Sequence, residues 1–167
     1  GGHYAGHRDD PEHDVDEEGR FRALAQAHRL AHLLSWSPAL GAWWQVVRSV
    51  TTPRALGPYA VEWRATDFRD EVLGRLGGVF RGTVVQFQPG QGFFVADAFW
   101  LPPDGDPIGP MALEVTCTPV GQNRSAATRL HVHQSGCDDS LRWRRYYEVI
   151  GYGWERALAS LKALLEH

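Results

Sequence analysis

At 167 residues, with 43% apolar and 22% charged residues and a formal net charge of −3, the chain has the length of one domain and the composition of a globular protein. The charge excludes a broad basic field for nucleic acid, so no nucleic-acid partner is expected. No apolar run approaches the ~20 residues of a membrane helix, and the opening residues are polar and acidic rather than a signal peptide's apolar stretch, so no membrane partner is expected either.

Residues 1–19 read as a flexible acidic arm. Seven of the ten residues from Asp9 to Glu18 are acidic, and like charges at that density repel. Asp14, Asp16 and Glu18 alternate, but the bend glycine and closing glutamate of a calcium loop are missing. His3, His7 and His13 lie near, with nothing to fix them in a cage. Residues 20–167 read as a single domain. Its first stretch, 21–34, places Leu24, Ala27, Ala31 and Leu34 at helical steps. His28 and His32 share a face there, but Arg29 stands where a zinc-protease helix carries glutamate. Ser37-Pro38 fits a second helix start, as cap and first helical residue. That short helix ends at Trp43-Trp44, of which one faces the core and the other an edge or cavity mouth.

Strand patterns follow. Residues 46–52 are rich in β-branched side chains, and 59–64 alternate with Tyr59, Val61 and Trp63 on one face. Residues 67–76 are charged and read as a loop or a short helical turn. Strands at 79–87 and 93–101 flank the turn residues Pro89-Gly90-Gln91-Gly92 and form a hairpin. A proline-rich connection leads to 111–118, with Leu113, Val115 and Cys117 on one face. A last strand at 126–134 sets Leu130 and Val132 against Arg129, His131 and His133, the latter facing solvent. In 93–101 both parities are apolar, so the direction of Asp97 stays open: inward with Val95 and Phe99, or outward. From about residue 140 to 165 runs one long helix on which Trp143, Tyr147, Ile150, Trp154, Leu158, Leu161 and Leu165 step by three and four, behind the capping groups Asp138, Asp139 and Ser140. Gly151 and Gly153 interrupt its propensity by up to ~1 kcal/mol each, which fits a need for close packing or open space.

Helices, an antiparallel run and one long amphipathic helix make an α+β order. Several stretches carry a resemblance: Ser37-Pro38-Ala39-Leu40-Gly41-Ala42-Trp43-Trp44, Gly78-Val79-Phe80-Arg81-Gly82-Thr83-Val84, the strand end from Thr128 to Gly136, and Gly153-Trp154 followed by Leu158, Leu161 and Leu165. Together they resemble the START-like superfamily (SRPBCC, birch-allergen-like) and, within it, the group named after the activator of the heat-shock ATPase. The resemblance implies a helix-grip fold, a curved antiparallel sheet wrapped around a long C-terminal helix, here with two short N-terminal helices. It also implies a first strand, which residues 1–20 do not show. That strand is absent, displaced or supplied by a partner; if it is missing, the sheet has an unpaired edge, a place for a homodimer.

Function is read from residues. The inner surface is aromatic and apolar, and a cavity between sheet and helix would be lined by Trp43, Trp44, Tyr59, Trp63, Phe87, Asp97, Phe99, Leu113, Val115, Leu130, Val132, Tyr147, Ile150 and Trp154, open near Trp43-Trp44 or residues 104–107. The partner expected is a hydrophobic small molecule, ring-containing and uncharged or weakly acidic. The resemblance offers two alternatives: a co-chaperone-like interaction domain with a chaperone partner, and a cyclase- or dehydratase-type enzyme using the same cavity. No nucleophile elbow, phosphate loop, dinucleotide fingerprint or tight metal cluster is present in the sequence, so no catalytic residue, metal or cofactor is assigned. Cys117 and Cys137 match neither zinc nor Cys-x-x-Cys spacing; as free thiols they suit a cytoplasmic location.

Overall fold

The structure, a computed structural model, describes residues 20–22, 40–41, 44–121, 127–136 and 138–166. Along this part of the chain lie β1 (Arg20–Arg22), β2 (Arg48–Thr51), β3 (Pro58–Trp63), β4 (Arg69–Asp70), β5 (Gly74–Arg75), β6 (Gly78–Gln88), β7 (Gly92–Leu101), β8 (Ile108–Val120), β9 (Ala127–Ser135) and the helix α1 (Leu141–Glu166). Seven strands form one sheet in the order β1-β9-β8-β7-β6-β3-β2, while β4 and β5 make a separate two-stranded ladder. All pairings are antiparallel. This is a helix-grip α+β fold.

The alternating strands bury the face their sequence marks. Tyr59 and Val61 of β3, Leu113, Val115 and Cys117 of β8, and Leu130 and Val132 of β9 are all buried. They share one core with the helix residues Tyr147, Trp154, Leu158 and Leu161. Because strand side chains alternate, this one choice of face sends Arg129 outward and leaves His131 and His133 half-buried on the opposite face, their rings stacked 6.4 Å apart.

Strand β7 resolves the ambiguity at Asp97. Phe93 and Val95 are buried, then Ala98 and Trp100 are, so the buried parity changes along the strand. The register slips against β6 between Arg81 and Thr83 and against β8 between Val95 and Ala98. Such a bulge inserts a residue and reverses which parity faces inward. Asp97 sits in it at φ +48° and is exposed.

The N-terminal expectations need correction. The first strand is present: Arg20, Phe21 and Arg22 pair with Arg129, Thr128 and Ala127 at the end of β9. Phe21 and Arg22 therefore do not begin a helix, because ladder hydrogen bonds along β9 satisfy their backbone in a way local helical propensity cannot foresee. Residues 23–34 of the expected first helix, and the acidic arm 1–19, lie outside the described residues. Of the second short helix, Leu40, Gly41 and Trp44 have helical backbone and the remainder lies outside the described residues. Within residues 67–76, expected as a loop or a short helical turn, Arg69–Asp70 and Gly74–Arg75 pair as the β4–β5 ladder.

The long helix begins where its capping groups stand. Ser140 Oγ accepts the N–H of Trp143 at 3.2 Å and Asp138 Oδ1 accepts the N–H of Ser140 at 2.8 Å, covering donors that a helix start leaves unmet. Among the described residues no helix is long and apolar enough to cross a membrane.

Candidate functional site

A cavity of about 840 Å³ opens between α1 and the β3–β6–β7 side of the molecule. Its aromatic wall comes from five separate stretches of chain: Trp44, Trp63 at the end of β3, Phe80 of β6, Trp100 of β7, and Tyr146 with Trp154 from α1. Trp44 packs against Trp154 with ring centroids 4.7 Å apart and meets Trp63 edge-on at 4.9 Å. The indole N–H of Trp63 donates to the Trp44 carbonyl at 3.1 Å, which fixes the two relative to each other. Trp100 lies 5.5 Å from Tyr146 and donates its indole N–H to the Gly77 carbonyl at 2.8 Å. Trp63 and Trp100 thus line the cavity while their one polar group is satisfied in the frame.

The helix contributes a second stripe beside its core stripe. Tyr146, Ile150, Gly153, Ala157 and Ser160 step by four, three, four and three and all line the cavity. Three of the five are small. A Cβ added at Gly153 meets nothing within 4 Å, so this glycine borders open space.

Tyr146 and Trp154 of the wall share a buried polar cluster with Gln134. Gln134 of β9 is 2% exposed. Its amide nitrogen donates to Tyr146 Oη at 2.8 Å and to Met111 Sδ at 2.9 Å, and its oxygen accepts the indole N–H of Trp154 at 3.1 Å. Burial pushes the Tyr146 phenol far above its ordinary value, so it stays protonated at neutral pH and is not a base. Neighbouring Tyr147 instead donates to the Gly136 carbonyl.

The outer wall is the β4–β5 segment. Leu73, Leu76 and Gly77 line the cavity together with Arg64, Thr66 and Asp67. Asp70, 4% exposed, anchors this segment to the helix through Arg145. At the rim Arg64, Asp67 and Arg156 are exposed and make no ion pair among the described residues.

Of the residues expected to line a cavity, Trp44, Trp63, Ile150 and Trp154 do so. Tyr59, Leu113, Val115, Leu130, Val132 and Tyr147 are buried in the core but are not among the residues that line the cavity. Phe87 and Phe99 are half-buried and Asp97 is exposed; Trp43 lies outside the described residues. The opening expected near Trp44 is where Gln45 and Val47 border the cavity, whereas residues 104–107 do not line it. That loop is tied elsewhere, Asp104 to Arg69 and the Asp106 carbonyl to Arg142. Sequence reasoning missed Tyr146, Phe80, Trp100 and the 64–77 wall. The signal for Tyr146 was the second helical stripe, inconspicuous because Gly153, Ala157 and Ser160 carry little hydrophobic weight. Among the described residues no group of three or more His, Cys, Asp or Glu is placed to hold a metal ion.

No family model and no curated protein matches the chain. Solved structures do. A protein from Mesorhizobium loti is 20% identical over 84% of this chain and 88% of its own, with a TM-score of 0.60. The AHSA1 protein from Silicibacter pomeroyi is 19% identical over 89% of this chain and 96% of its own, at a TM-score of 0.57. The Aha1 dimer from Colwellia psychrerythraea is 14% identical over 88% and 91%, at a TM-score of 0.57. At these identities the likeness is one of fold, and it is the fold that the sequence resemblance implies: the chain shares the helix-grip architecture of the AHSA1 and Aha1 structures.

Proposed function

We propose that this protein binds a hydrophobic, ring-containing small molecule, uncharged or weakly acidic, in the cavity between α1 and the β4–β5 wall. The observation that carries the reading is the space itself: about 840 Å³ walled by Trp44, Trp63, Trp100 and Trp154, with open room beside Gly153. Binding pockets for molecules of that kind run to roughly 300–1,000 Å³ and are mostly apolar with few polar anchors. Flat aromatic walls favour ring ligands through stacking and edge contacts. Titration with a hydrophobic fluorophore, followed by tryptophan emission, should saturate, because the four wall tryptophans report on one volume. Unsaturable, purely partition-like uptake would overturn the reading. A cytoplasmic location accompanies it, supported by the free buried thiol of Cys117.

A second reading is a protein-interaction role, with a chaperone or a second copy of the chain as partner. It is favoured by the exposed apolar side chains Val47, Val50 and Leu56, at 50%, 62% and 79% exposure, at or beside β2, the terminal strand of the sheet. One of the structurally similar proteins was solved as a dimer. Concentration-dependent sedimentation distinguishes self-association from the monomeric binding protein.

A further inference from the structure

The orientation of Gln134 decides what Tyr146 can do. An indole N–H only donates, so the amide oxygen of Gln134 must be the atom facing Trp154 at 3.1 Å. The amide nitrogen then faces Tyr146 Oη and Met111 Sδ, and both of its hydrogens are committed. An amide nitrogen accepts nothing. In the contact with Gln134 the phenol oxygen of Tyr146 is therefore the acceptor, and its own proton is left over. Among the described residues Tyr146 Oη makes no other hydrogen bond. Tyr146 is 3% exposed and lines the cavity.

We propose that Tyr146 is the polar anchor of the pocket, its hydroxyl donating a hydrogen bond to the neutral carbonyl oxygen of a ring-bearing ligand. This rests on the binding reading above and specifies its ligand class. A buried donor without a partner loses free energy that a ligand acceptor restores, so the site selects for an oxygen at that depth. A neutral oxygen is favoured over a carboxylate. The described cations near the cavity, Arg64 and Arg156, are exposed at the rim, and the wall around Tyr146 is apolar, where an unpaired charge is costly. Gln134 and Trp154 act through Tyr146 as positioning residues: they fix which way its oxygen accepts and leave its proton for the ligand.

The test uses the full chain and two probes of matched shape, 2-acetylnaphthalene and 2-ethylnaphthalene, titrated against tryptophan emission. Tyr146→Phe should weaken the ketone by about three- to tenfold, the size of one hydrogen bond, and leave the hydrocarbon unchanged. The carbonyl stretch of the bound ketone, read by infrared difference spectroscopy, should lie at lower frequency in the wild type than in Y146F. Equal weakening of both probes, or an unshifted carbonyl band, would overturn the anchor while leaving the binding reading intact. Failure of both probes to bind saturably would defeat the binding reading and the anchor with it. Should Y146F not fold, the wild type decides alone: a bound-ketone band at the frequency found in alkane solvent overturns the proposal, and a band below it supports it.

Discussion

Arg145 holds Asp70 across 75 residues of sequence, its Nε and Nη2 donating to Asp70 Oδ1 at 2.9 and 2.7 Å. The other carboxylate oxygen, Oδ2, accepts the backbone N–H groups of Val72 and Leu73 at 3.0 Å each. Both oxygens are thus satisfied, which is what makes a carboxylate at 4% exposure tolerable. The bond joins the helix to the segment that carries Leu73, so it sets the outer wall of the cavity.

That pair makes part of the acid stability depend on Asp70. The Arg145 guanidinium, helped by the Leu73 and Val72 amides, holds the Asp70 carboxyl below the usual carboxylate range. A depressed folded-state value contributes stability above the unfolded value of about 3.9, and that stability is lost as pH falls through the lower folded value. Urea midpoints measured from pH 7 downward should drop more steeply below about pH 4 in the wild type than in Asp70→Asn. D70N should also be the less stable protein at neutral pH, and its fluorophore binding should weaken as the wall loosens. Parallel midpoint curves for the two proteins would show that the pair is not the source of acid sensitivity.

Gly153 separates helix stability from pocket volume. With nothing within 4 Å of an added Cβ, Gly153→Ala should stabilise the fold by up to about 1 kcal/mol through helix propensity alone. Gly153→Leu should remain folded and weaken probe binding at least tenfold by filling the space. Thermal melts and the same fluorescence titration check both; a leucine variant that binds normally would place the ligand elsewhere.

Trp154 belongs to the core and to the cavity wall together. Trp154→Ala should cost about 3–5 kcal/mol, since it empties a large volume and leaves the Gln134 oxygen buried without its donor. Trp154→Phe keeps most of the ring and isolates the lost N–H, a penalty of about 1–3 kcal/mol. Denaturant titration of the two variants orders them; equal midpoints would mean that the hydrogen bond carries all of the effect.

The start of α1 has its own measurable term. Ser140→Ala removes the acceptor for the Trp143 N–H and should destabilise by about 1 kcal/mol, while Ser140→Asp should not. Probe affinity should be unchanged in both, because Ser140 is not part of the cavity wall.

Much of the architecture is written in the periodicity of the chain. The helical steps from Trp143 through Leu161 define α1 and its buried face, and Ser140 marks its start. The alternation at Tyr59 and Val61, at Leu113, Val115 and Cys117, and at Leu130 and Val132 defines the strands and the face they bury. These patterns are legible because burying one face of a regular element imposes its repeat on neighbouring residues. Strand β7 shows the limit. Its two parities are both apolar because the strand bends at Asp97 and buries one parity before the bulge and the other after it. β1 shows another, since three residues become a strand only because the edge of β9 is there to pair with them.

The candidate site lay beyond that reach. Trp44, Trp63, Ile150 and Trp154 could be named because large aromatic and aliphatic residues on core-facing elements are natural lining. The choice between filling the core and bordering empty space was not local. Tyr59 and Leu113 have the same sequence character as the residues that do line the cavity, yet they are buried in the core without bordering it. Within the wall at residues 64–77, the charged stretch 67–76 reads as a loop or a short helical turn until Asp70 is seen against Arg145, and Tyr146 stands out only once Gln134 is found against it. The sequence alone determined which segments bury a face, because that is a repeat along the chain. Where the buried faces fail to meet, and which polar atom is left to serve a ligand there, was decided by the tertiary structure, because both depend on side chains brought together from distant parts of the chain.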